Sequence, residues 1–229
     1  MDLIGNGFSD KSPLVDPRVD HYAEVAAAAL AELHLPPVIA FGSHTGASVA
    51  LEVAARRPDL VCALVVEGLA HFTGAEQVDV LTRYTPRFDP VHSGAHLVDN
   101  WHMLRDMHLF WPWYVSTADA VRDTAPELSS LHNLFVQMLK TSDTYPLAYR
   151  AAFRHDPRPA VGRLQVPGCF VAHPADMLRD STEALARLAD DVEFVELAPA
   201  EGRGPAWAVR RFASGRLADS PDDGLAPDQ

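Results

Sequence analysis

Cysteine is scarce in this sequence: Cys62 and Cys169 are the only two, each inside a short apolar run. Two such thiols exclude a disulfide framework and fit a reducing compartment, so a cytoplasmic location is expected. No uncharged apolar run approaches the roughly 18 residues of a membrane span. Met1 is followed at once by Asp2, without a basic n-region or apolar h-region, so no signal peptide is expected. Clustered Lys and Arg are also missing. The net charge of −12 argues against nucleic acid or an anionic membrane surface as the main partner, because phosphate contacts need concentrated positive charge. There is no internal repeat and no Gly-rich phosphate motif, and no histidine follows His173.

What is present is core-forming material. The 229 residues are 48% hydrophobic, enough for one large domain or for a core with an insertion. Asp16-Pro17 reads as an N-cap and first-turn proline, and Tyr22, Val25, Ala26, Ala29, Leu30 and Leu33 follow at helical spacing. "PPVIAFG" and "LVCALVVEG" read as strands buried on both faces. Between them a helix starts near Thr45 or Gly46, turns Val49, Ala50, Val53 and Ala54 inward, and stops at Pro58. Residues 71–160 are helical in pattern and rich in aromatics and histidine. The alternation then resumes with "VPGCFVAHPAD", a helix over Ser181 to Ala189 with Asp180 and Glu183 placed as a capping pair, "VEFVELAP", and a last helix in "PAWAVRRFA". The expected fold is α/β, a mostly parallel sheet flanked by helices: a first core part at 1–70, a helical cap at 71–160, a second core part at 161–214 and a disordered acidic tail at 215–229.

The pentapeptide Gly42-Ser43-His44-Thr45-Gly46 lies between the first strand and the next helix. That is the layout of a G-x-S-x-G nucleophile elbow, with histidine at the apex. Together with "DLIGNGFSDKS", the helical insertion and the acid loop of "VPGCFVAHPAD", it makes the chain resemble the α/β-hydrolase fold superfamily of the cap-domain type, similar to haloalkane dehalogenases and ring-cleavage hydrolases. The resemblance implies an incomplete version of that fold, with family strands five to eight. About four strands and a helix, including one oxyanion-hole donor, precede the "DLIGNG" loop in the family. A truncated N-terminus, or a sheet completed by another chain, is the expectation. The family's general-base histidine falls near Glu201-Gly202-Arg203, where this sequence has none, so a Ser-His-Asp triad is incomplete.

The resemblance implies a hydrolase acting on an ester or related bond. The expected site is non-serine. His44 is the base, Asp176 or Glu67 is its orienting carboxylate, and the Thr45 N–H is the oxyanion donor. Trp111 and Trp113 line the pocket, and the ligand is a small apolar organic molecule. Ser43, one place early, is expected to point sideways into packing. His92 and His96 are expected to be exposed or capping residues, His102 and Asp106 to form an intrahelical pair, and His173 to pack at a strand end. No metal and no cofactor are expected. The alternatives are a catalytically inactive ligand-binding homologue, or a fragment without independent activity.

Overall fold

The structure is a computed structural model that describes residues 1–11, 15–122, 126–141, 144–198 and 204–217, with side chains through 214 in the last span. Helix α1 (Val19–Glu32) precedes β1 (Val38–Ser43), α2 (Thr45–Arg56) and β2 (Val61–Glu67). Helices α3 (Gly74–Arg83), α4 (Ala95–Leu109), α5 (Leu128–Thr141), α6 (Tyr145–Arg154) and α7 (Arg158–Val161) fill the next stretch, with a 3-10 turn at Ala118–Ala120. Then come β3 (Gly168–Ala172), α8 (Arg179–Ala186), β4 (Val192–Glu196) and α9 (Pro205–Leu217). Residues 218–229 of the expected tail lie outside the described residues.

The four strands form one parallel sheet in the order β1-β2-β3-β4. Side chains on a strand alternate between faces, and the two core clusters follow that period. Leu64, Val66 and Phe170 join α1, α2, α7 and α8 on one face; Val65, Cys169 and Val171 join Leu197 and Ala208 of the α9 side on the other. The central strands β2 and β3 are therefore buried on both faces, as their continuous apolar runs predict. Burial also pushes the Cys169 thiol up to about 12, which makes it an inert core residue. Cys62 is only half-buried.

The expectation for "PPVIAFG" needs correction. Strand β1 pairs only with β2, so its other edge is open among the described residues, and Phe41 is 45% exposed. The opposite edge, β4, carries Glu193 and Glu196, which pair with Arg211 and Arg179. Charges of that kind blunt an edge against further pairing, and β1 has none.

Two caps also differ from the reading of the sequence. Helix α1 begins at Val19 with Arg18 at its N-cap, and Asp16 instead accepts from Arg154 Nη1 at 2.5 Å. Helix α8 begins two residues early; Asp180 and Glu183 both bind Arg179, which also reaches Glu196 and so ties the helix to β4.

Helix α2 carries a buried charge. Glu52 is 4% exposed and accepts from Arg56 Nε at 2.8 Å and from His155 Nε2 at 2.9 Å. Arg163 adds a second guanidinium at 3.5 Å. This knot fastens the helix behind the elbow to the segments that follow α6 and α7.

Candidate active site

At the end of β1 the chain reverses over a single residue. His44 has φ 49° and ψ −111°, a conformation that costs an L-residue about 1–3 kcal/mol and survives only where its surroundings enforce it. Three contacts enforce it. The His44 N–H donates to Glu67 O at 2.8 Å, and the His44 carbonyl accepts from the Ala47 and Ser48 N–H groups. The strand end and helix start also approach so closely that a Cβ on Gly42 would lie 2.2 Å from Gly46 O, so glycine alone fits at position 42. The turn lifts the imidazole off the sheet, with its side chain 52% exposed. Thr45 opens α2, and its N–H is one of the first-turn donors that a helix leaves unpaired.

The loop after β3 brings the carboxylate. Asp176 N–H donates to His173 O at 2.9 Å, and its Oδ1 accepts from Leu178 N–H at 2.8 Å. That leaves Oδ2 to accept from His44 Nε2–H at 3.1 Å. The bond fixes the tautomer: Nε2 carries the hydrogen and Nδ1 keeps its lone pair. Burial pulls the His44 pKa down, but the Asp176 hydrogen bond and charge, with a smaller contribution from Glu67, outweigh it and leave it raised above 6.5. Asp176 responds oppositely: burial raises it, and the bond and charge of His44 hold it below the usual carboxylate value. The two directions agree.

Of the two carboxylates proposed from the sequence, Asp176 makes the bond. Glu67 stands opposite Ser43 in the β1–β2 register and borders the same cavity; its backbone carbonyl holds the His44 N–H, while its carboxylate acts on the imidazole by charge alone. Gly68, which sequence reasoning overlooked, makes room for the pair. A Cβ there would lie 2.3 Å from His44 Cδ2 and 2.7 Å from Asp176 Oδ2, and its φ is +63°. A glycine straight after a buried strand was the available signal.

The pair opens on a cavity of about 440 Å³ between the carboxyl edge of the sheet and helices α4–α6. Its walls are mostly apolar: Trp111 stacks on Phe72 with centroids 5.8 Å apart, and Met107, Leu134 and Phe153 add to them. Trp111 borders the cavity. Trp113 does not line the cavity; its Nε1 donates to Tyr84 O at 2.9 Å and its ring meets Tyr114 edge-on. Ser43 also departs from expectation, being exposed and bordering the cavity rather than packed. His173 reaches the cavity while its Nδ1 accepts from Ala175 N–H.

His108 also borders the cavity, and His92 is exposed. His96 Nδ1 accepts from Val91 N–H, a local capping contact. Asp106 pairs with Arg105 rather than with His102. Among the described residues no group of three or more His, Cys, Asp or Glu is placed to hold a metal ion, and no helix is long and apolar enough to cross a membrane. The stretch near Glu201-Gly202-Arg203, where the resemblance places the general base, lies outside the described residues.

Neither a protein-family model nor a curated protein matches the sequence. Solved structures do match in shape. A hydrolase from Pseudomonas aeruginosa PA01 aligns over 91% of this chain and 77% of its own, with a TM-score of 0.62 and 17% identity. An epoxide hydrolase from Vigna radiata aligns over 93% and 80%, with a TM-score of 0.64 and 14% identity. A bromoperoxidase from Bacillus anthracis aligns over 94% and 78%, with a TM-score of 0.63 and 14% identity. Identities this low establish the fold alone. The chain has an α/β-hydrolase fold in incomplete form, four parallel strands flanked by helices, as the sequence motifs predict.

Proposed function

We propose that this protein hydrolyses esters of small, largely apolar molecules, using His44 as a general base oriented by Asp176. The observation that carries the reading is the 3.1 Å bond between His44 Nε2 and Asp176 Oδ2, on a strained turn facing an apolar cavity. The bonded carboxylate keeps Nε2 protonated and makes Nδ1 more basic. A water beside Nδ1 gives up its proton as its oxygen attacks the ester carbonyl carbon, and the Thr45 N–H stabilises the charge that develops on the carbonyl oxygen. When the tetrahedral intermediate collapses, the imidazolium returns the proton to the leaving alkoxide. Ester and water become acid and alcohol, and no covalent enzyme intermediate forms. The named hydrolases among the structures of similar fold support the reaction class.

The test is the hydrolysis of p-nitrophenyl esters by the parent and two variants. His44→Ala should abolish turnover, whereas Ser43→Ala should retain most of it; the reverse pattern refutes the proposal. The lack of any histidine after His173 favours a second reading, a cavity that binds apolar ligands without chemistry. Saturable binding with no turnover in either the parent or His44→Ala decides for that reading.

A further inference from the structure

The proposed reaction accounts for the sheet side of the cavity, but its other side carries a charge that the chemistry does not use. Arg122 is the one Lys or Arg among the described residues that line the cavity. In a protein with a net charge of −12, arginines such as Arg56, Arg83, Arg158 and Arg179 each hold an acidic partner. Arg122 has none among the described residues. Its backbone, by contrast, is fixed. Arg122 N–H donates to Leu109 O at 2.8 Å, Val121 bridges to Phe110, and Trp111 N–H donates to Ala120 O at 2.9 Å. These links zip the segment against the end of α4 and hold the Arg122 backbone near that of Trp111, and both residues border the cavity.

We propose that Arg122 receives a carboxylate on the substrate, so that the cavity takes apolar molecules bearing a carboxylate apart from the reacting ester, such as hemiesters of dicarboxylic acids. The reaction named here rests on the hydrolase reading; the binding preference does not. Glu67 and Asp176 stand on the sheet side, so a ligand carboxylate is repelled from the His44 end and drawn to Arg122. That opposition orients the ligand, with its ester toward His44 and its acid toward Arg122. Arg122 is exposed at the cavity rim, and a planar guanidinium with no acidic partner among the described residues can bind a carboxylate through two parallel hydrogen bonds.

The test is calorimetric binding of 4-phenylbutyrate and its neutral amide to the full chain. The parent should bind the acid about tenfold or more tightly than the amide, the worth of one charge-assisted contact. Arg122→Gln should erase the preference and leave amide affinity unchanged, while Arg122→Lys should keep part of it. Equal affinities in the parent, binding of neither ligand, or a preference that survives Arg122→Gln overturns the proposal. Turnover of mono-p-nitrophenyl glutarate against p-nitrophenyl butyrate forms the second arm. No turnover of either ester, with the binding preference intact, refutes the hydrolase reading and leaves the anion site standing.

Discussion

Replacing Gly68 by alanine puts a methyl group where the proposed catalytic pair meets. The added Cβ, 2.3 Å from His44 Cδ2, would need a separation of about 3.5 Å or more, so the ring or the backbone must yield by roughly 1 Å. The His44–Asp176 bond, already 3.1 Å long, does not survive such a shift, since hydrogen bonding fades beyond about 3.5 Å. The backbone adds a cost of about 1–2 kcal/mol for holding alanine at a φ of +63°. A displacement of this size lowers turnover about a hundredfold. It also removes the contact that raises the His44 pKa while leaving burial in place, so that pKa falls. Two measurements read this: ester hydrolysis, and NMR titration of the His44 ring, which needs no turnover. Gly46→Ala is the control, because a Cβ there meets nothing within 4 Å and replaces a helical glycine; it should be neutral or stabilise by up to about 1 kcal/mol. A folded Gly68→Ala protein with the parent's activity and the parent's His44 pKa refutes the reasoning.

Other changes test other contacts. Activity should rise with pH as His44 loses its proton, with a midpoint above 6.5; Asp176→Asn should move that midpoint down and cut the plateau about a hundredfold or more, as a pH–rate profile will report. For stability the sign runs the other way: the raised pKa of His44 contributes below pH 6.5, and the contribution is lost as pH rises through the folded value. Glu52→Gln should destabilise the fold by about 1–3 kcal/mol in a denaturant titration, because it removes the buried carboxylate to which His155 and Arg56 donate, although Arg56 keeps Asp20. Burial raises the Glu52 pKa but the bonds from His155 and Arg56 lower it further, so its contribution is present above pH 4.5 and lost as pH falls through the folded value. Phe41→Lys should reduce self-association in light scattering without lowering the melting temperature, since it charges an open edge without touching a core contact; unchanged association rejects that account.

The elements that were legible in the sequence are those with local causes. Pro58 and the glycines around the elbow punctuate the β1–α2–β2 unit, and the continuous apolar runs of β2 and β3 announce strands covered on both faces. The position of His44 at the apex was legible for the same reason, because Gly42 permits a strand and a helix to touch there. Choices that depend on distant chain were not legible. Asp176 prevailed over Glu67 because a turn closed by Leu178 N–H aims one oxygen and leaves the other free, a detail of loop geometry. Trp111 and Trp113 are alike in sequence, yet Trp111 stacks on Phe72 while Trp113 meets Tyr84 O and Tyr114, contacts set by distant chain. Glu52 resembles a solvated residue four places before Arg56, and its burial appears only once His155 arrives from a hundred residues away. Arg122 gave no signal, since nothing in its local sequence marks a residue that borders the cavity.

The long helical stretch between β2 and β3 bears on how the chain reaches this state. Strands β1 and β2 are joined by fewer than twenty residues, whereas β2 and β3 must find each other across about a hundred. Closing the longer loop costs about 1.5 kcal/mol more entropy than closing the shorter one, and pairings distant in sequence form slowly. The β1–α2–β2 unit is therefore the natural nucleus, complete with its strained apex, and the sheet grows from it toward β4. On that order Asp176 would join the imidazole only in the second stage, an expectation that pulse-labelled hydrogen exchange tests.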